Sequence, residues 1–285
     1  MPFRGSSVDL DLLAERLGTL HTEPGDTITL ADNRPGAKDD RRGAVRILGA
    51  GERQTSYHAR NRGVQAGEAP WLVFIDADVV ASPDLLDRYF EMPPDERTGV
   101  LAGAIVDEVP STETGAAVRY AYLKHSMSQD TLLANEEWAF AQTANAAIRR
   151  EAFAQVGGFE PKIRSGGDAD LCFRLQAAGW ALERRDGATV VHRNRTTVAR
   201  MLAQRARHGA GAAWLARQWP GAMPRRQALR LAFWGTRRAI HGGLAAARGD
   251  RDAAVLGFLD GPSIWAYELG RLLPNRATPR MLARR

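Results

Sequence analysis

The sequence predicts an α/β protein: a mostly parallel sheet flanked by helices, followed by a C-terminal helical appendage. Three observations carry this. The first is Trp71-Leu72-Val73-Phe74-Ile75, an apolar run after Pro70 that reads as a strand buried on both faces. The second is the alternation of such strands with amphipathic helices along the chain, which favours parallel pairing through crossover helices. The third is a change of charge near Thr196. From there to Arg285 the chain carries 16 Arg and no Lys against four acidic residues, while the part before it carries 23 basic and 29 acidic groups. A slightly acidic body over residues 1–195 and a basic helical region over residues 196–285 are expected.

The elements follow in order. A polar start feeds a helix over residues 8–20, with Leu10, Leu13, Leu17 and Leu20 at helical spacing. Residues 27–31 form a short strand running into the turn cluster Asp32-Asn33-Arg34-Pro35-Gly36, and residues 44–48 form the next. A helix is expected near residues 56–66, then the central strand at 71–75. After it, Ser82 suits an N-cap and Pro83 the first helical position. Residues 99–106 make another strand, and residues 142–150 make a strand running into a helix that Gly157-Gly158-Phe159 ends. In the helix after Asp168, Leu171, Leu175 and Ala178 mark the apolar stripe and Gly179 the stop, and residues 188–192 make the last strand. The tail reads as a helix over 196–217, interrupted around Gly209 and Gly211, and a second over 224–248. In the second, Leu229, Phe233, Ile240 and Leu244 lie on one side and Arg226, Arg230 and Arg237 on another.

Several carboxylates stand where chemistry is done. Asp76 and Asp78 are two residues apart at a strand exit, so both can face one spot. Their mutual repulsion is relieved by a divalent cation bridging to phosphate oxygens, or they form a solvated turn with an Asp cap. Asp32 and Asp76 lie at carboxyl ends of strands, where ligands of open α/β sheets sit. Asp168 and Asp170 sit at a helix entrance, whose dipole keeps a carboxylate ionised and able to act as a base. Simple capping accounts for one of the two. His192 ends the last strand, either satisfied locally or free to bind a ligand.

Composition excludes other classes. A single cysteine, Cys172, permits no internal disulfide. No window reaches the roughly 18 apolar residues of a membrane span, and the start carries no signal-peptide pattern, so a cytoplasmic protein is expected. Arginine and tryptophan on the tail helices suit peripheral contact with an anionic membrane at its inner face. The alternative is that these helices cover the sheet and Trp214, Trp219, Trp234 and Trp265 are core. The tail aromatics stand at helical packing spacing, not on a strand platform, so no nucleic-acid partner is expected.

Taken together, Asp76-Ala77-Asp78, the 145–150 segment, Gly157-Gly158-Phe159, Gly167-Asp168-Ala169-Asp170-Leu171 and Val191-His192 resemble the family 2 glycosyltransferases of the GT-A fold, bacterial type. The resemblance covers roughly residues 2–195. It implies a nucleotide-sugar donor, a UDP-sugar foremost, bound at the strand ends, with Pro2, Arg4 and Asp32 holding the nucleoside. It implies Asp76 near the ribose, Arg60 at the donor site, and Asp78 binding a divalent cation (Mn2+ or Mg2+) on the diphosphate, with His192 a further metal or diphosphate ligand. Asp168 matches the catalytic base, which implies inverting, hexosyltransferase-type transfer to an acceptor sugar, lipid-linked or small. Acceptor contacts are assigned to Trp138 and Asp170. The chain departs from the family in two places: Gly167 stands where a Glu usually precedes the base, and the family's first apolar strand, ending at the position of Pro2, is expected to be missing. A sugar nucleotidyltransferase, or a non-catalytic nucleotide-sugar-binding or scaffold protein with a degenerate site, are the alternatives. The first would want a glycine-rich phosphate loop, for which Gly5-Ser6-Ser7 is a poor substitute.

Overall fold

Local signals set where most elements start. In the computed structural model, which describes residues 1–277, β1 (Pro2–Phe3) leads to α1 (Ser7–Leu17), then β2 (Ile28–Asp32), β3 (Asp40–Arg42), β4 (Val45–Gly49) and α2 (Ser56–Val64). Next come β5 (Trp71–Ile75), β6 (Val79–Ala81), α3 (Leu85–Phe90), β7 (Thr98–Asp107), α4 (Ala116–Leu123) and α5 (Asp130–Leu133). Then follow β8 (Asn145–Arg149), α6 (Arg150–Gln155), α7 (Gly167–Ala177) and β9 (Ala181–His192), and finally α8 (Val198–Gln218), α9 (Ala228–Ala247) and α10 (Arg251–Gly270). The start of α1 is fixed by a capping box: the Asp9 amide donates to Ser6 Oγ at 3.1 Å and the Ser6 amide to Asp9 Oδ2 at 2.8 Å.

The strands form two sheets, β1-β2-β4-β3 and β5-β8-β7-β9-β6. The α/β class with flanking helices is as the sequence predicts, with two corrections. The strand expected to be missing is there in short form, Pro2 pairing with Ala31 and Phe3 with Asp32 in parallel register. The mostly parallel sheet is in fact mixed. β1-β2, β2-β4 and β7-β9 are parallel, whereas β8 lies antiparallel between β5 and β7. The reason is the connection through α4 and α5, which brings the chain back at the end of the sheet where β7 left it, and so reverses the next strand.

Two further expectations are revised by long-range pairing. Val79 and Ala81 pair with His192 and Val190, so residues after Asp78 form β6 and the helix begins at Leu85 instead of at Ser82 and Pro83. The tail helix runs unbroken through Gly209 and Gly211. A Cβ at 209 would lie 1.9 Å from the Tyr267 carbonyl oxygen, and one at 211 would lie 2.8 Å from Ser165. These glycines let α8 approach α10 and the loop before α7; they are contacts and not breaks.

One core runs between the sheets, joining Leu10, Leu13 and Leu17 of α1 to Leu30, Val45 and Ile47 and on to Ile75, Leu101 and Val190. A second lies on the other face of the larger sheet, where Phe74 and Ile148 meet Phe153, Phe159, Leu171 and Leu175. The strand that the sequence marks as buried on both faces is therefore covered on both. The tail is bonded to the body through Asp260 of α10, buried at 3% exposure. Its carboxylate accepts from Tyr120 Oη at 3.0 Å and Arg238 Nε at 2.7 Å, with Lys124 Nζ at 3.4 Å. A buried charge matched in this way is held in one geometry. No helix among the described residues is long and apolar enough to cross a membrane.

Candidate active site

Asp76 leaves β5, Asp78 precedes β6, and β6 pairs with the end of β9, which brings His192 beside Asp78. His192 Nε2 stands 3.6 Å from Asp78 Oδ1, and Arg195 Nη2 stands 3.3 Å from Asp78 Oδ2. From α2, Arg60 donates through Nη2 to Asp76 Oδ1. Arg60 is buried, its guanidinium 5.6 Å from the Tyr57 ring and 5.8 Å from that of Phe159. Thr143, just before β8, donates through Oγ1 to Asp168 Oδ1 at 2.5 Å. Asp168 stands in the first turn of α7, where the dipole favours a carboxylate.

These side chains feel one another electrostatically. Burial pushes the Asp168 carboxyl above its ordinary value, Arg60 and the Thr143 hydroxyl pull it back, and Asp76 adds to the rise. Burial, then the Asp76 charge, likewise raise Asp78, against His192 and Arg195. Burial works against the charge of Arg60, but Asp76 and Asp168 outweigh it and hold the guanidinium above its usual value. Asp76, Asp78 and Asp168 thus form one acidic cluster with Arg60 threaded into it. Arg207, on α8, is near enough to feel the charges of this region. Burial and then Arg195 lower its pKa, Tyr57 and Asp76 lie near, and no described carboxylate pairs with it. Next to it His208, half-buried among arginines, is held down to about 3 by desolvation and then Arg207, so it is neutral.

The other expected residues are placed differently. Asp32 ends β2 in the smaller sheet, and its carboxylate is taken up by Arg34, with Nη2 at 2.6 Å, Nε at 2.9 Å and the backbone amide at 3.0 Å. Pro2 lies alongside Ala31, and Arg4 is exposed just past β1. Asp170 is only 6% exposed. It accepts from Arg174 Nε at 3.0 Å and from Trp219 Nε1 at 3.1 Å, which ties α7 to the end of α8. Trp138 packs edge-on against Phe173, with Trp219 6.4 Å away. Gly167 has a steric cause: a Cβ there would lie 2.6 Å from the Tyr57 ring, so the position cannot carry the Glu that the family resemblance would put there without moving Tyr57.

Sequence reasoning missed Tyr57, Thr143, Arg195 and Arg207. Arg195 had a signal, since Arg193-Asn194-Arg195 directly follows the strand that ends in His192. Arg207 had none, being one of many tail arginines until α8 folds back over the cluster. Among the described residues no three His, Cys, Asp or Glu side chains converge on one metal position. Asp78 and His192 present a carboxylate and an imidazole, both groups of a kind that binds divalent cations, across a 3.6 Å gap that is too long for a hydrogen bond.

Comparison with known proteins decides the family. The model described as "Glycosyl transferase family group 2" matches residues 71–260. The chain belongs to glycosyl transferase family group 2. The match takes in Asp76, Asp78, Asp168, His192 and Arg207, and runs on into the tail as far as Asp260. Within the family, the chain is 31% identical over 166 residues to the pre-mycofactocin glycosyltransferase of Mycobacterium tuberculosis, an overlap of 57% of this chain and 35% of that protein. It is 28% identical over 138 residues to glycosyltransferase AglE of Haloferax volcanii, an overlap of 48% of this chain and 44% of that one. The matched region thus spans less than half the length of these relatives. In fold, the family 2 chain is similar to the mannosyltransferase PcManGT from Pyrobaculum calidifontis, solved in complex with GDP-Man and Mn2+. The TM-score is 0.54 at 14% identity, covering 95% of this chain and 71% of that one.

Proposed function

We propose that the chain transfers a sugar from a nucleoside-diphosphate sugar to an acceptor hydroxyl with inversion at the anomeric carbon, using Asp168 as the base. The observation that carries this reading is the half-buried Asp168, hydrogen-bonded to Thr143 and with its carboxyl pushed up by desolvation, in one charged cluster with Asp76, Arg60 and Asp78. In the reaction the acceptor oxygen forms a bond to the anomeric carbon, the bond from that carbon to the diphosphate oxygen breaks, and the diphosphate leaves with the electron pair. The acceptor's proton passes to Asp168. A carboxylate poised above the usual range is a stronger base than a solvated one. The departing diphosphate carries developing negative charge, which Arg195 and Arg207 stand ready to meet. A divalent cation held by Asp78 and His192 would supply Lewis-acid neutralisation at the same oxygens.

Pro2, Arg4 and Asp32 are assigned to the nucleoside, which requires Asp32 to exchange part of its bonding with Arg34 for the base. The acceptor, a sugar either free or carried on a lipid, is assigned to the side of Trp138. A screen of transfer from UDP- and GDP-sugars, with and without Mn2+ or Mg2+, tests the reading. Turnover that needs a divalent ion, drops sharply in Asp168→Asn and loses its metal response in Asp78→Ala is expected. Undiminished turnover in Asp168→Asn would refute it.

A further inference from the structure

The tail helices divide into one that the body covers and one that it leaves open. The buried residues of α8 include Met201, Ala212, Ala213 and Leu215, set against the body. In α9 only Leu231, Gly242 and Ala245 are buried, and they lie on the side that meets α10. There the backbones nearly touch, with Gly242 and Gly257 so close that a Cβ on Gly257 would sit 2.4 Å from Gly242 Cα. Arg238, on the same side, is bonded to Asp260.

The opposite side of α9 is apolar and bare. Leu229, Phe233, Ile240 and Leu244 are 87%, 70%, 59% and 50% exposed. Their spacing of four, seven and four residues puts them in one stripe along the helix. Arg230, Arg237 and Arg248 follow within about a quarter turn of that stripe at 100° per residue. They are exposed, and none pairs with a described carboxylate. From Pro224 to Gly249 there are six Arg and no Asp or Glu.

We infer that α9 lies in the surface of an anionic lipid bilayer, its Leu229–Phe233–Ile240–Leu244 stripe entering the acyl boundary and its arginines meeting lipid phosphates. Charge selects this occupant. A second copy would bring one arginine-rich flank against another and be repelled. A neutral apolar partner would leave the flanking arginines unmatched, whereas an anionic surface satisfies stripe and flank together. The inference does not depend on the chain turning over any donor.

Vesicle co-sedimentation of the whole chain tests it. Binding to vesicles of phosphatidylcholine with phosphatidylglycerol is expected, with little binding to phosphatidylcholine alone and weakening as salt rises. The triple variant Leu229→Ser/Phe233→Ser/Ile240→Ser should bind at least about tenfold more weakly while melting like the parent, since its changes are on exposed positions. Arg230→Glu/Arg237→Glu, which leaves the stripe intact, should abolish the preference for anionic vesicles. No binding to either vesicle, equal binding by the triple variant, or self-association of the parent that the triple variant loses would each overturn the inference.

Discussion

Asp168 and Asp170 stand two residues apart on α7 and face two different regions. Asp168 looks into the cleft between α2, the β5 exit and β8, where its hydrogen-bonding partner is Thr143 and its charged neighbours are Arg60 and Asp76. Asp170 looks into the seam between α7 and α8, where Arg174 and Trp219 engage both of its oxygens. The same side chain, at the same helix entrance, meets one side-chain hydrogen-bond donor in the cleft and two in the seam. What differs is the number of side-chain partners that each meets. A carboxylate held charged at a cost is suited to take a proton. A fully bonded one is suited to hold two helices together.

Substitutions sharpen the contrast, starting with the cleft. Asp168→Asn keeps the Thr143 hydrogen bond but cannot accept the acceptor's proton, and should lower kcat by about 10²–10⁴-fold in a transfer assay. Circular dichroism of the variant should match the parent. Comparable losses in both aspartates would erase the distinction between cleft and seam.

In the seam, Asp170→Asn removes a charge-assisted pair with Arg174 and should cost about 1–3 kcal/mol by denaturant titration. Its kcat, measured where the protein is folded, should stay within about tenfold of the parent. Between the two regions, Gly167→Ala forces a methyl group against the Tyr57 ring. Thermal melting should register a loss of about 1–3 kcal/mol.

The smallest effect is one of pH. A carboxyl with a raised folded pKa binds more protons folded than unfolded, so its contribution to stability falls as pH rises from its ordinary value of 3.8 through the raised value. Asp168→Asn removes that contribution. Melting curves should therefore show the variant gaining on the parent as pH rises through this window. In the parent, kcat should fall on the acid side as Asp168 takes up its proton, at a higher pH than an ordinary carboxylate would give.

The legible part of the fold was local. The strand Trp71–Ile75 falls where its apolar run and Pro70 place it, and α1 begins at a capping box formed within four residues. Strand exit and helix entrance marked Asp76, Asp78 and Asp168 as candidates, and the same strand-end argument marked Asp32, which lies in the smaller sheet paired with Arg34. α10 escaped notice because its apolar residues are spread around the helix, which is packed against α4, α8 and α9 and shows no single stripe. β6 escaped because its partner, β9, lies more than a hundred residues away, and nothing within three residues announces such a pairing.

The sequence by itself settled the types of those elements whose signals are local, the places where carboxylates could gather, and the acidic body with its basic tail, since capping and periodicity act over a few residues and charge needs only counting. Only the tertiary structure decided which carboxylate is left short of partners, which arginines of the tail come over the cleft, and which helix keeps its apolar side in the open. Those outcomes depend on desolvation and on Coulomb forces between groups far apart in the chain, and these exist only once the chain has closed around them.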